Sequence, residues 1–156
     1  MIKQRYLYHI WSIIVLLLTA CTFGAREPGP GTSGETITLT ILYTNDEHGW
    51  MAPTDDYGGA AGLVRRWAED EGYTEDGAYL VLSGGDIWTG PAISSWFDGE
   101  SMVQVMNLMG YDAVALGNHE FDFGPDGLQR RAAQAEFPFL AANVVRAATG
   151  EPPDTV

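Results

Sequence analysis

Cysteine occurs once in these 156 residues, at Cys21, so no intrachain disulfide can form in any compartment. Basic side chains are scarce: eight Lys and Arg stand against 21 Asp and Glu, for a formal net charge of −13. Binding a nucleic-acid polymer draws on Lys and Arg to displace counterions, so this acidity argues against such a partner. An anionic small substrate would have to be drawn in by bound cations. The apolar run from Ile10 to Leu18 is too short to span a bilayer. No internal repeat is visible.

Behind Lys3 and Arg5, that short apolar run fits the hydrophobic region of a secretory signal. It ends in Leu18-Thr19-Ala20-Cys21, which resembles the lipobox of bacterial lipoproteins, where the Cys is lipidated and becomes the mature N-terminus. Residues 1–20 are therefore expected to be a signal peptide, and Cys21 to carry a membrane-anchoring lipid. The protein would then be exported, held at the cell surface or in the periplasm. Residues 21–35, with Gly29-Pro30-Gly31-Thr32-Ser33-Gly34 at their centre, are too poor in apolar side chains to order themselves and read as a flexible tether. The fold is expected to occupy 36–156.

Thr36 to Tyr43 alternates β-branched and apolar residues, the pattern of a strand. A loop with Pro53, Gly58 and Gly59 follows, then a helix over Ala60 to Glu71, with Leu63, Val64 and Trp67 on one face. Tyr79 to Leu82 reads as a buried strand. Met102, Val105, Met106 and Met109 recur at helical spacing over Ser101 to Met109, and Gly110 supplies a left-handed stop. Ala113 to Leu116 is a third strand, Pro125 opens a helix over Asp126 to Glu136, and Phe139 to Ala142 is a fourth strand. This alternation predicts an α/β fold with a mostly parallel sheet of βαβ units, whose ligands gather at the carboxyl ends of the strands. Four such strands leave an open edge and too few helices to cover both faces, so the layered fold reads as incomplete.

Three polar turns follow three of the strands: Asn45-Asp46-Glu47-His48-Gly49, Gly84-Gly85-Asp86, and Gly117-Asn118-His119-Glu120-Phe121-Asp122-Phe123-Gly124. Asp46 and His48, two apart, reach one side of an extended segment and can share a divalent ion. Asp86, in a turn tightened by two glycines, is suited to bridge two ions roughly 3.5–4 Å apart. Asn118 offers a carbonyl oxygen, and His119 a group that can donate a proton. The turns are spaced by about one βαβ unit, roughly 30 or more residues, which places them at adjacent strand ends.

In this ordered set the chain resembles the calcineurin-like metallophosphoesterases of the 5′-nucleotidase type, from about Ile37 to Asn143. The resemblance implies that Asp46 and His48 ligate one metal, that Asp86 bridges, that Asn118 ligates a second, and that His119 is the catalytic histidine, oriented by Asp122. It implies two divalent ions (Zn, Mn, Fe, Co or Ca) and hydrolysis of a small phosphate ester, most simply a nucleotide. Two positions depart from the family pattern: Tyr43 stands where a His is frequent, and Gly90-Pro91 where Gly-Ser or Gly-Thr is usual. The family's remaining ligands come from later histidines, whereas this chain has only His9, His48 and His119. The resemblance therefore implies a partial site, inactive by itself, in an N-terminal part of the domain. Alternatives are a 2′,3′-cyclic phosphodiesterase, a thiosulfohydrolase-type relative, or a non-catalytic surface-binding lipoprotein of the same fold.

Other residues invite blander readings. Glu47 and Glu120 are expected to stand behind the ligands or to be exposed, and Trp50, Trp88 and Trp96 to pack in the core or at the rim rather than against a ligand. The Met102/Met106/Met109 stripe is helix packing, and Asp55-Asp56 and Glu69-Asp70-Glu71 are solvated faces.

Overall fold

The computed structural model describes residues 36–153, so the expected signal peptide 1–20, the lipid-bearing Cys21 and the tether 21–35 lie outside the described residues. The chain divides into Met1–Ile37 and Thr38–Val156, and all the described regular structure belongs to the second unit. Its elements are β1 (Thr40–Thr44), α1 (Gly59–Asp70), β2 (Tyr79–Ser83), the short α2 (Ala92–Ser95), α3 (Glu100–Met109), β3 (Ala113–Ala115), a 3₁₀ turn (His119–Phe121), α4 (Gly124–Ala132) and β4 (Phe139–Leu140).

The strands form one sheet in the order β1-β2-β3-β4, every pair parallel, as the βαβ alternation predicts. Strand β1 is shorter than its β-branched pattern because its neighbour β2 begins at Tyr79, opposite Thr40. Thr36 to Leu39 therefore find no ladder to join. The register sets Leu42 beside Val81, and Val114 beside Phe139. These four side chains are buried in one core with Trp67 of α1, Met102, Val103, Met106 and Met109 of α3, and Leu128 of α4. The other face of the sheet is open, with Tyr43 62% and Leu140 54% exposed.

Helix α3 ends as its sequence predicts, with Gly110 at φ 76°. Helix α4 opens with a proline in its first turn but stops at Ala132, four residues short of the expected Glu136. Asn107 supplies the reason: its side-chain amide donates to the Gln134 carbonyl at 3.0 Å, and its carbonyl oxygen accepts from the Glu136 N–H at 2.9 Å. A tertiary amide thus replaces the last helical turn, and Pro138 then keeps Phe137 from helical conformation.

Met106 is fully buried and Leu108 is 86% exposed on the same helix. Met106→Ala is expected to destabilise the chain by about 2–5 kcal/mol, through lost transfer energy and an unfilled cavity. Leu108→Ala should stay within about 0.5 kcal/mol of the parent. Urea unfolding of both variants checks this; equal effects would contradict the assigned core face.

Candidate metal centre

Because all strands run the same way, the turns after β1, β2 and β3 emerge on one edge of the sheet. The first two are joined chiefly by main chain: the N–H groups of Asp46, His48 and Gly49 donate to the carbonyls of Gly85, Asp86 and Ile87 at 3.0, 2.9 and 2.8 Å. To make these bonds the backbone turns left-handed at Asp46 (φ 56°), His48 (φ 47°) and Asp86 (φ 57°). The Asp46–His48 segment is therefore not extended as its spacing suggests. Side chains without glycine's freedom carry a cost of order 1–3 kcal/mol each in such conformations, which persist where the surroundings impose them.

The result is a cluster. Donor atoms of His48, Asp86 and His119 all lie within 4.8 Å of one another, and the two imidazoles meet edge to face at 4.9 Å. Asp46 adjoins it, with Oδ1 3.7 Å from His48 Nε2. Its other oxygen accepts from the Asn45 side-chain amide. Asn118 is exposed at the N-cap of the 3₁₀ turn. The His48 imidazole with the Asp46 and Asp86 carboxylates is a donor set suited to Zn, Mn or Fe, so the residues fit a divalent ion.

Each imidazole is held from behind. His48 Nδ1 lies 3.2 Å from the Thr89 carbonyl, an acceptor only, so the proton sits on Nδ1 and the Nε2 lone pair faces the cluster. His119 Nδ1 lies 2.7 Å from Asp122 Oδ2. That hydrogen bond raises the His119 pKa above its ordinary value and lowers that of Asp122. The expected His119–Asp122 pair is thus present, and it directs His119 Nε2 away from Asp122.

Behind the cluster lie two carboxylates that periodicity could not place. Glu120, for which exposure was one expectation, is 0% exposed. It accepts from the backbone N–H groups of Asp86, Ile87 and Gly117 at 2.9, 2.8 and 2.6 Å. Burial pushes its carboxyl pKa up against the opposing pull of those three donors. Glu47 accepts from Thr44 and, at 3.1 Å, from Ser83 Oγ, with the Tyr111 hydroxyl 3.4 Å away. Of the tryptophans, Trp88 is core and donates from Nε1 to the His119 carbonyl at 2.7 Å. Trp96 is 84% exposed, outside the core. Trp50 lines a pocket of about 590 Å³ together with Asp46, Glu47 and Tyr57.

No protein-family model matches the chain. Protein UshA of Salmonella pullorum is 40% identical to it over 146 residues, 89% of this chain and 26% of that protein. The 5′-nucleotidase precursor from Thermus thermophilus shares its fold with 33% identity and a TM-score of 0.57, over 69% of this chain and 22% of that one. Calcineurin-like phosphoesterase YfkN from Bacillus subtilis aligns at 31% identity and a TM-score of 0.57, over 73% of this chain and 39% of that one. The chain belongs to the 5′-nucleotidase type of calcineurin-like phosphoesterases. It spans about a quarter of the length of the curated relatives it matches.

The 5′-nucleotidase-type fold explains why one glycine cannot change here. A Cβ on Gly117 would collide with Asp86 Oδ1 and stand 2.8 Å from the Asp86 nitrogen. Gly117→Ala must displace the carboxylate or split the two turns, at a cost of about 1–3 kcal/mol for overpacking. A lowered urea midpoint and weaker Mn²⁺ uptake than in the parent are expected. Parental values for both would contradict the close approach.

Proposed function

We propose that this chain forms part of the catalytic domain of a metal-dependent phosphate-ester hydrolase that acts on nucleotides. The observation that carries this reading is the convergence of His48, Asp86 and His119 at the carboxyl edge of a parallel sheet, in a chain of the 5′-nucleotidase type. The neighbouring pocket is lined by Trp50, Tyr57 and Leu63 together with Asp46, which suits a phosphate ester carrying an organic group.

Asp46 and His48 would hold one ion, Asp86 would be shared, and Asn118 would hold a second. Bound divalent ions would supply Lewis-acid polarisation of a phosphoryl oxygen, acidification of a water nucleophile and attraction of an anion to an acidic chain. His119, with Nδ1–H committed to Asp122, presents Nε2 to hold or deliver a proton at the phosphate ester's departing oxygen. Asp122 fixes the tautomer and steadies the protonated ring. These ligands are too few to complete two coordination shells, and residues outside this segment would supply the remaining imidazoles. The 156-residue chain alone would then be a poor enzyme.

In the native gene product, Asp86→Ala should abolish retention of the metal pair, while His119→Ala should keep near-normal metal content and lose roughly 10²–10⁴ in turnover. Metal analysis beside hydrolysis of a nucleoside monophosphate and an aryl phosphate decides it. Lost metal in the His119 variant, with turnover intact in the Asp86 variant, would overturn the assignment.

Export and membrane anchoring through Cys21 belong to the same proposal, supported by the apolar run and the lipobox-like Leu18-Thr19-Ala20-Cys21. Among the described residues no helix is long and apolar enough to cross a membrane. Cys21→Ala is expected to leave the precursor uncleaved or release the protein from the membrane fraction. An unmodified mature N-terminus, seen by intact mass in a bacterial host, would count against lipidation.

A further inference from the structure

We propose that Glu120 is a positioning residue of the metal centre: its buried carboxylate locks the Asp86 turn against the Gly117–His119 turn at the spacing an ion requires, before any ion arrives. This rests on the reading of the cluster as a metal site.

The two joints of the cluster are built differently. Between the first turn and the second, main-chain carbonyls accept from main-chain N–H groups, a joint that most substitutions leave alone. Between the second turn and the third, among the described residues, no main-chain pair is made past Ser83 and Val114, where the β2–β3 ladder ends. Beside the Trp88 indole N–H on the His119 carbonyl, two carboxylates make this joint instead. Asp86 Oδ1 accepts from the His119 N–H at 2.8 Å, and Glu120 accepts from Asp86, Ile87 and Gly117.

Glu120 is the member of that pair with no other task. Its Oε2 takes the N–H groups of Asp86 and Gly117 together, one from each turn, and its Oε1 takes Ile87. Charge-assisted bonds of this kind are about twice as strong as neutral ones. Three converging donors also demand a group that only accepts. A glutamine would turn an NH₂ toward one of them, and aspartate, one methylene shorter, cannot reach both turns. The left-handed backbone at Asp86 needs such an imposed surrounding, since nothing in its own conformational preference holds it there. An ion ligand that drifts by a fraction of an ångström loses its geometry, and changes to groups that orient ligands commonly cost roughly 10–100-fold in metal affinity.

The experiment compares the native gene product with its Glu120→Gln and Glu120→Asp variants, and with Val103→Ala, a core truncation on α3, which carries no ligand. Amide hydrogen exchange is measured without metal, and Mn²⁺ affinity by calorimetry well below every unfolding midpoint. Both Glu120 variants should exchange faster at Asp86, Ile87 and Gly117 than the parent, with Val81 and Val114 little changed. Both should bind Mn²⁺ about tenfold or more weakly. Val103→Ala should lose stability but keep its Mn²⁺ affinity within about twofold, which separates positioning from general loss of stability. Parental affinity in both Glu120 variants overturns the role of Glu120 alone. Failure of both to fold assigns Glu120 to folding and overturns positioning. A parent that takes up no Mn²⁺ sinks the metal reading itself, and this proposal with it.

Discussion

Parallel pairing is the constraint on which everything else depends. Because β1, β2 and β3 run the same way, their carboxyl ends lie side by side, and each hands the chain to a polar turn at the same edge. An antiparallel neighbour would have sent one turn to the far side. The β2–β3 ladder is short, only two residue pairs. Strand pairing therefore brings the turns together without fixing their relative height, and hydrogen bonds beyond the ladder finish the placement.

Those later bonds explain why so much polar material is buried beside an apolar core. Trp88 is buried on the core side, yet its indole N–H reaches the His119 carbonyl, so the core grips the His119 turn through a directional bond. Glu120 does the same from beneath with its carboxylate. A buried polar group without partners destabilises a fold by about 1–3 kcal/mol, so such groups are informative where they are fully satisfied. Here Trp88 and Glu120, both satisfied, stand behind the candidate ligands.

Much of the fold was legible in the sequence, for a physical reason. A parallel sheet covered by helices imposes strong periodicity, and the strands Thr40–Thr44, Tyr79–Ser83 and Ala113–Ala115 fall within one to four residues of the apolar runs that predict them. What failed was tertiary in origin: the missing ladder before Thr40, and the Asn107 amide that cut α4 short. At the site, residue types and their order pointed to Asp46, His48, Asp86 and His119. The backbone that brings them together did not show, because left-handed aspartate and histidine have no sequence signature. Glu120 was equally hidden. In a single 3₁₀ turn there is no period from which to tell a buried carboxylate from an exposed one.

The electrostatics run in the same direction. Asp46, Asp86, Glu120 and Asp122 crowd one edge of a chain that already carries a net charge of −13. Like charges so placed repel, and the strain would be severe if each carboxylate met only the others. Each is met instead by a donor: Asp46 by the Asn45 amide, Asp86 by the His119 N–H, Glu120 by three backbone N–H groups, Asp122 by an imidazole. Glu120 and Asp122 have their charge answered by the protein and are saturated or committed. Asp86 and Asp46 each receive a single neutral donor and keep lone pairs turned toward His48. The negative potential left over is therefore concentrated where a cation would sit, and the supporting carboxylates do not compete for it.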